Sequence, residues 1–195
     1  MTHNRDIRTL QPDIDMIHKC RNRDEKAFRI LVEKFQSYAF NVAFRVVLNE
    51  DDAKDILQES FIRVWKHIHQ YDQKILFTTW LYKIVINLCY DNLKFARRRN
   101  HMAMRLADNQ AIPVNNVNAS GNEDNKELIR RIRKVSKNLT LKQRMVFVLR
   151  DLHEIPIKEV MKILGLSEGS VKTNLYLARQ NIRERILVSE KHGGS

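Results

Sequence analysis

Residues 156–183 read PIKEVMKILGLSEGSVKTNLYLARQNIR. Ile157, Val160, Met161 and Leu164 recur at three-four spacing behind Pro156, a residue favoured at the first position of a helix. Gly165 supplies the positive φ that ends such a helix. Ser167 is suited to cap a second one, whose inward residues are Val171, Leu175, Ala178 and Ile182. A short helix, a glycine turn and a capped second helix make the layout of a helix-turn-helix. Met161 stands where such motifs usually carry a small residue, and is expected to widen the helix crossing. Opposite the apolar stripe lie Lys172, Thr173, Tyr176, Arg179 and Arg183, a basic face with one aromatic that suits a DNA major groove.

Upstream, Thr140-Leu141-Lys142-Gln143 is a capping-box pattern that starts a helix carrying Met145, Val148, Leu149 and Leu152. Leu128, Ile132, Val135 and Leu139 predict another before it. Residues 126–195 hold 16 Lys and Arg against 7 Asp and Glu, a net +9 out of +12 for the whole chain. That end of the molecule is expected to face a polyanion. Residues 100–125 lose all periodicity, and their seven Asn with Pro113, Ser120 and Gly121 predict a flexible linker.

Before the linker, helical periodicity returns in three long runs. Phe28, Leu31, Val32, Phe35, Ala39, Val42 and Val46 form the first stripe. Ala53, Ile56, Leu57, Phe61, Val64, Trp65 and Ile68 form the second, behind the acidic start Glu50-Asp51-Asp52. Trp80, Leu81, Ile84, Val85, Leu88, Cys89, Leu93 and Ala96 form the third. With only 5 Gly and 3 Pro in 195 residues, the predicted fold is all-α. It comprises two small helical domains, residues 1–99 and 126–195, joined by a flexible linker over 100–125, and the domains are expected to change relative position.

Composition also excludes classes of function. Cys20 and Cys89 lie far apart without a CxxC or Cys/His ligand pattern, so neither a disulfide framework nor a metal site is indicated. No apolar run approaches the roughly 18 residues of a membrane span, and the first residues lack a signal-peptide core, which predicts a cytoplasmic protein without membrane insertion. Scattered His residues and the lack of a Gly-rich phosphate loop give no support to an enzyme or a cofactor site.

Two further surfaces stand out. Asp55, Gln58 and Glu59 share one exposed face of the second run, where two like charges four residues apart are slightly unfavourable. On the third run Lys83, Asn87, Tyr90, Lys94 and Arg97 lie opposite the core, leading into Arg98 and Arg99. Cations interleaved with an amide and an aromatic fit a nucleic-acid strand, and Tyr71 with Tyr90 can offer planar surfaces to bases.

Three ordered motifs then carry a resemblance. Asp52-Ala53-Lys54-Asp55-Ile56-Leu57-Gln58-Glu59-Ser60-Phe61, Phe77-Thr78-Thr79-Trp80-Leu81-Tyr82-Lys83-Ile84-Val85-Ile86-Asn87 and Gly169-Ser170-Val171-Lys172-Thr173 resemble the extracytoplasmic-function (ECF) class of bacterial RNA polymerase sigma factors. The resemblance covers residues 27–99 and 126–187. It implies that Asp55, Gln58 and Glu59 dock on the β′ clamp helices of core RNA polymerase. It implies that the loop from Tyr71 to Phe77, with Trp80 and the helix bearing Asn87, opens and reads the minus-ten element of promoter DNA as single strand. The second domain would read the minus-thirty-five duplex and touch the β flap, and an anti-sigma factor is an expected further partner. Asp72-Gln73-Lys74-Ile75-Leu76 departs from the Gly and small polar residues common in that loop, so no base preference carries over. A free-standing helix-turn-helix regulator is the alternative, and it predicts specific duplex binding without polymerase.

Overall fold

The structure, a computed structural model, describes the backbone of residues 11–107 and 139–192, and side chains over 11–99 and 139–185. Seven α-helices are present among the described residues: α1 (Ile14–Arg21), α2 (Glu25–Val47), α3 (Glu50–His67), α4 (Phe77–Ala107), α5 (Leu141–Phe147), α6 (Ile157–Leu164) and α7 (Glu168–His192). A 3-10 turn, Ile68–Gln70, follows α3, and a π-helical turn, Val148–Leu152, follows α5. The predicted helix through Leu128 and Val135, and most of the predicted linker, fall outside the described residues. The backbone stays helical through Ala107, past the point where apolar rhythm stops at residue 100.

Local signals set most boundaries. Asp24 accepts from the N–H groups of Lys26 and Ala27 (2.9 and 3.0 Å) and starts α2; Asn49 accepts from Asp52 N–H (3.0 Å) and starts α3. Thr140 and Gln143 form the reciprocal capping box at the head of α5. Gly165 ends α6 at φ 64° and its N–H returns to the Met161 carbonyl, satisfying an otherwise orphaned acceptor. Pro156 sits one position earlier than expected, at the cap rather than inside the first turn. Met161 is half-buried against the core.

α1, which the apolar pattern does not announce, buries Ile17 and Cys20. The segment before it also fixes α4: the Gln11 side-chain oxygen accepts from Phe77 N–H at 2.7 Å, while Lys34 holds the Gln11 carbonyl at 2.9 Å. A residue 66 positions away thereby satisfies an orphan donor at the start of α4.

Helices α2, α3 and α4 close on Leu31, Phe35, Val42, Val46, Val64, Phe77, Leu81 and Val85. Val146, Leu149, Val160, Ile163 and Val171 close the second unit around the helix-turn-helix, and both sets belong to one continuous buried cluster. Where the units meet, α4 lies against α6 and α2 against the π-helical turn.

Candidate functional site

On α3, Asp55 and Gln58 are exposed and Glu59 half-exposed, its carboxylate held by Arg63 one turn on at 2.9 Å. Beside this acidic edge α2 and α3 leave a groove of about 540 Å³, floored by Phe28, Val32, Leu57, Phe61, Ile62 and Trp65. Phe28 packs on Trp65 at 4.7 Å between ring centres, so the floor is fixed, while Gln58 and Lys54 stand at its rim. Sequence reading placed Phe28, Phe61 and Trp65 in the core. The apolar stripe is wider than one partner helix can cover, and that excess was the signal for the groove.

On α4, Lys83, Asn87, Tyr90, Lys94 and Arg97 are all exposed, and Lys94 Nζ lies 5.9 Å from the centre of the Tyr90 ring. Asn92, on the same helix, is instead spent inside the fold, where its amide donates to Asp52 at 3.2 Å. Tyr71 is a correction: it is only 4% exposed, its hydroxyl donates to the Ile75 carbonyl at 2.6 Å, and burial pushes it up to about 12. Its ring packs on Phe77 and Trp80 (5.5 and 5.2 Å) and so shapes the loop from within instead of facing a base. Trp80 is half-buried in the same aromatic cluster. Arg21 ties that loop down by donating to the Tyr71 carbonyl at 2.6 Å.

On α7, Lys172, Thr173, Tyr176, Arg179 and Arg183 share one exposed face, with Tyr176 66% exposed. Two of the cations have carboxylate partners. Lys172 pairs with Glu168 at 2.6 Å, and the Arg179 guanidinium grips Asp151 through two parallel bonds of 2.8 and 2.7 Å. Asp151, on the π-helical turn, was not singled out by sequence, because nothing local links residues 28 apart. The Asp151 pairing holds Arg179 above its ordinary value.

Among the described residues no group of His, Cys, Asp and Glu could hold a metal ion, and no helix is long and apolar enough to cross a membrane. The site is a set of three surfaces: an acid-edged apolar groove, a basic amide-bearing helix face, and a basic helix-turn-helix face.

The chain matches Sigma-70 region 2 over residues 31–99 and Sigma-70 region 4 over residues 129–182. The ECF RNA polymerase sigma factor SigW of Bacillus subtilis is 28% identical over 176 residues, covering 87% of this chain and 94% of the relative. Two structures share the fold. CnrH, in complex with the cytosolic domain of CnrY, has a TM-score of 0.68 at 19% identity and covers 89% of this chain and 96% of its own. The sigma factor RpoE of Bartonella quintana, in complex with the anti-sigma factor NepR, has a TM-score of 0.64 at 17% identity and covers 84% and 98%.

This chain belongs to the ECF class of the sigma-70 family of RNA polymerase subunits. It is an alternative sigma factor that directs promoter-specific initiation, acting with core RNA polymerase on promoter DNA. Sigma factors are initiation factors, so the chemistry of RNA synthesis is the polymerase's.

Proposed function

We propose that residues 1–99 dock on core polymerase and read the minus-ten element, that residues 126–195 read the minus-thirty-five duplex, and that 100–125 connect them. In this reading Asp55, Gln58 and Glu59 meet the β′ clamp helices, with the adjoining groove taking apolar side chains from the same partner. A pre-formed apolar groove with a charged rim has the anatomy of a helix-binding interface. Lys83, Lys94 and Arg97 hold phosphates of the melted strand, Asn87 offers paired donor and acceptor groups to a base edge, and Tyr90 offers a stacking plane. Lys172, Thr173, Tyr176, Arg179 and Arg183 face the upstream major groove, and the second unit touches the β flap. The chain itself catalyses nothing, carries no cofactor and works in the cytoplasm. An anti-sigma factor is a further partner, a reading supported by the fold shared with a sigma factor bound to one.

The observation that carries this division is the exposed amide of Asn87 standing among cations on a helix rooted in the core. The docking half has its own test. Asp55→Lys with Glu59→Lys is expected to weaken core-polymerase binding at least about tenfold, because reversed charges repel across an interface. Thermal stability stays within about 1 kcal/mol of the parent, since exposed charges contribute little to folding. Undiminished affinity in a titration, with helicity intact, removes the acidic edge from the docking surface.

A further inference from the structure

We propose that Gln11 and Arg21, in the segment that precedes α2, are positioning residues for the loop between α3 and α4, holding it in its base-reading shape before DNA arrives. The proposal rests on the sigma reading above, in which that loop meets the minus-ten element. Both residues lie outside the match to Sigma-70 region 2, which begins at residue 31.

Both ends of the loop are held from this one segment. At the first end Arg21 donates to the Tyr71 carbonyl at 2.6 Å, and its Nε reaches the Ile68 carbonyl at 3.5 Å. Arg23 donates to the Trp65 carbonyl at 2.7 Å. Carbonyls at a helix end lack intrahelical partners and favour nearby cations, so two guanidiniums finish α3. At the far end Phe77 N–H, an orphan donor in the first turn of α4, donates to Gln11 Oε1 at 2.7 Å. Gln11 Nε2 donates to the hydroxyl of the buried Thr78 at 3.4 Å, and Lys34 on α2 braces the Gln11 carbonyl at 2.9 Å.

Between these anchors the loop is closed from within. The Tyr71 hydroxyl donates to the Ile75 carbonyl at 2.6 Å, Ile75 N–H returns to the Asp72 carbonyl at 3.0 Å, and Lys74 N–H donates to the Asp72 carboxylate at 2.9 Å. What the loop shows outward is Asp72, Gln73 and Lys74, all exposed. A loop without anchors must be ordered when a base arrives, a conformational-entropy cost added to that of unstacking the base. Ordering it beforehand removes the first cost and leaves a fixed surface against which bases can be told apart.

The anchors are separable from the general packing of α1. Ile17 and Cys20 carry that helix into the core, whereas Gln11 and Arg21 are only half-buried. Among the described residues the Arg21 side chain bonds to loop carbonyls alone, and the Gln11 side chain to the head of α4 alone. Neither is offered to DNA or lies on the acidic edge of α3. Removing one should therefore blur base recognition and leave polymerase docking intact.

The test begins in the free full-length chain, where the sigma reading plays no part. Amide exchange at Phe77 is expected to accelerate at least about threefold in Gln11→Ala and to stay near the parental rate in Gln11→Glu, which keeps the acceptor. Unchanged exchange in Gln11→Ala overturns the anchor. Transcription with core polymerase then follows, from templates pre-melted over the minus-ten element with each base varied in turn. Gln11→Ala and Arg21→Met are each expected to lose about three- to tenfold of the discrimination between the best and worst base. Core-polymerase affinity, upstream preference and helicity stay parental, and Gln11→Glu restores the discrimination. Parental discrimination in both Gln11→Ala and Arg21→Met overturns the positioning role, and so does a loss matched by an equal loss of core-polymerase affinity, which marks general unfolding. A parent chain that directs transcription from no template overturns the sigma reading itself, a result distinct from variants that behave like an active parent.

Discussion

The faces of α4 and α7 carry similar side chains in different electrostatic states. On α4, Lys83, Lys94 and Arg97 make no ion pair among the described residues. On α7, Lys172 and Arg179 already hold carboxylates of Glu168 and Asp151. A cation without a partner gives its full charge to an arriving phosphate, whereas a paired one must exchange one anion for another. The first arrangement suits capture of a flexible single strand, where many weak phosphate contacts add up. The second suits a stiff duplex, where a side chain fixed in advance loses less entropy on binding and keeps register. Both faces are rooted in the same buried cluster, α4 through Leu81, Val85 and Cys89 and α7 through Val171 and Leu175.

The largest expected effect is on the attachment of the second unit, through His153. Burial, then the charge of Arg45, holds this imidazole down to about 4 from 6.5, and Tyr82 is the other titratable group facing it. A base whose folded value is depressed contributes stability that is complete above its unfolded value and is lost as pH falls toward the folded one. The packing of the second unit against the first is therefore expected to weaken from about pH 6.5 toward 4, by about 2 kcal/mol at pH 5. The inter-unit distance should lengthen over that range while α4 stays helical by circular dichroism. His153→Gln should flatten the response; equal sensitivity in parent and variant would place the titration elsewhere.

A smaller effect is expected at Gly165. A Cβ there meets no atom within 4 Å, so Gly165→Ala isolates the backbone cost of φ 64°. That cost is about 1–2 kcal/mol for an L-residue, read as a lower unfolding midpoint together with weaker duplex binding. Binding that stays at parental strength would show that the α7 face does not depend on this turn.

Smallest is Asp151→Asn, which removes the charge from the Arg179 pair. Because the pair is exposed on one side, stability should change by less than about 1 kcal/mol. Discrimination between upstream sequences should loosen as Arg179 loses its fixed orientation, while non-specific affinity rises and falls more steeply with salt. An unchanged salt slope would argue that Asp151 does not compete with phosphate.

Much of the fold could be read from the sequence because its causes are local. Apolar spacing, Asn49, the Thr140–Gln143 box and Gly165 each act within a turn or two, and their helices begin and end close to where those residues stand. The Arg45–His153 contact, the Gln11 cap and the Asp151–Arg179 pair join residues 28 to 108 positions apart, and no periodicity encodes which distant atoms meet. Tyr71 shows the same limit at short range. A loop tyrosine can turn outward or inward, and the choice here is made by the Ile75 carbonyl, Phe77, Trp80 and the Arg21 tether together. The exposed faces of α3, α4 and α7 were legible because a helix with a known buried stripe fixes what lies opposite it.

The division of labour between α4 and α7 is tested most directly by transcription from two templates, one fully duplex and one pre-melted over the minus-ten element. Asn87→Ala is expected to lose about 1–3 kcal/mol of recognition, roughly tenfold to a hundredfold in open-complex occupancy, with upstream preference unchanged. The bubble removes the unpairing cost but not the lost contact, so it should rescue this variant only in part. Lys172→Ala should be impaired in upstream docking and gain nothing from the bubble. Parental transcription by Asn87→Ala on both templates, or the same response to the bubble from both variants, would contradict the assignment of single-strand reading to α4 and duplex reading to α7.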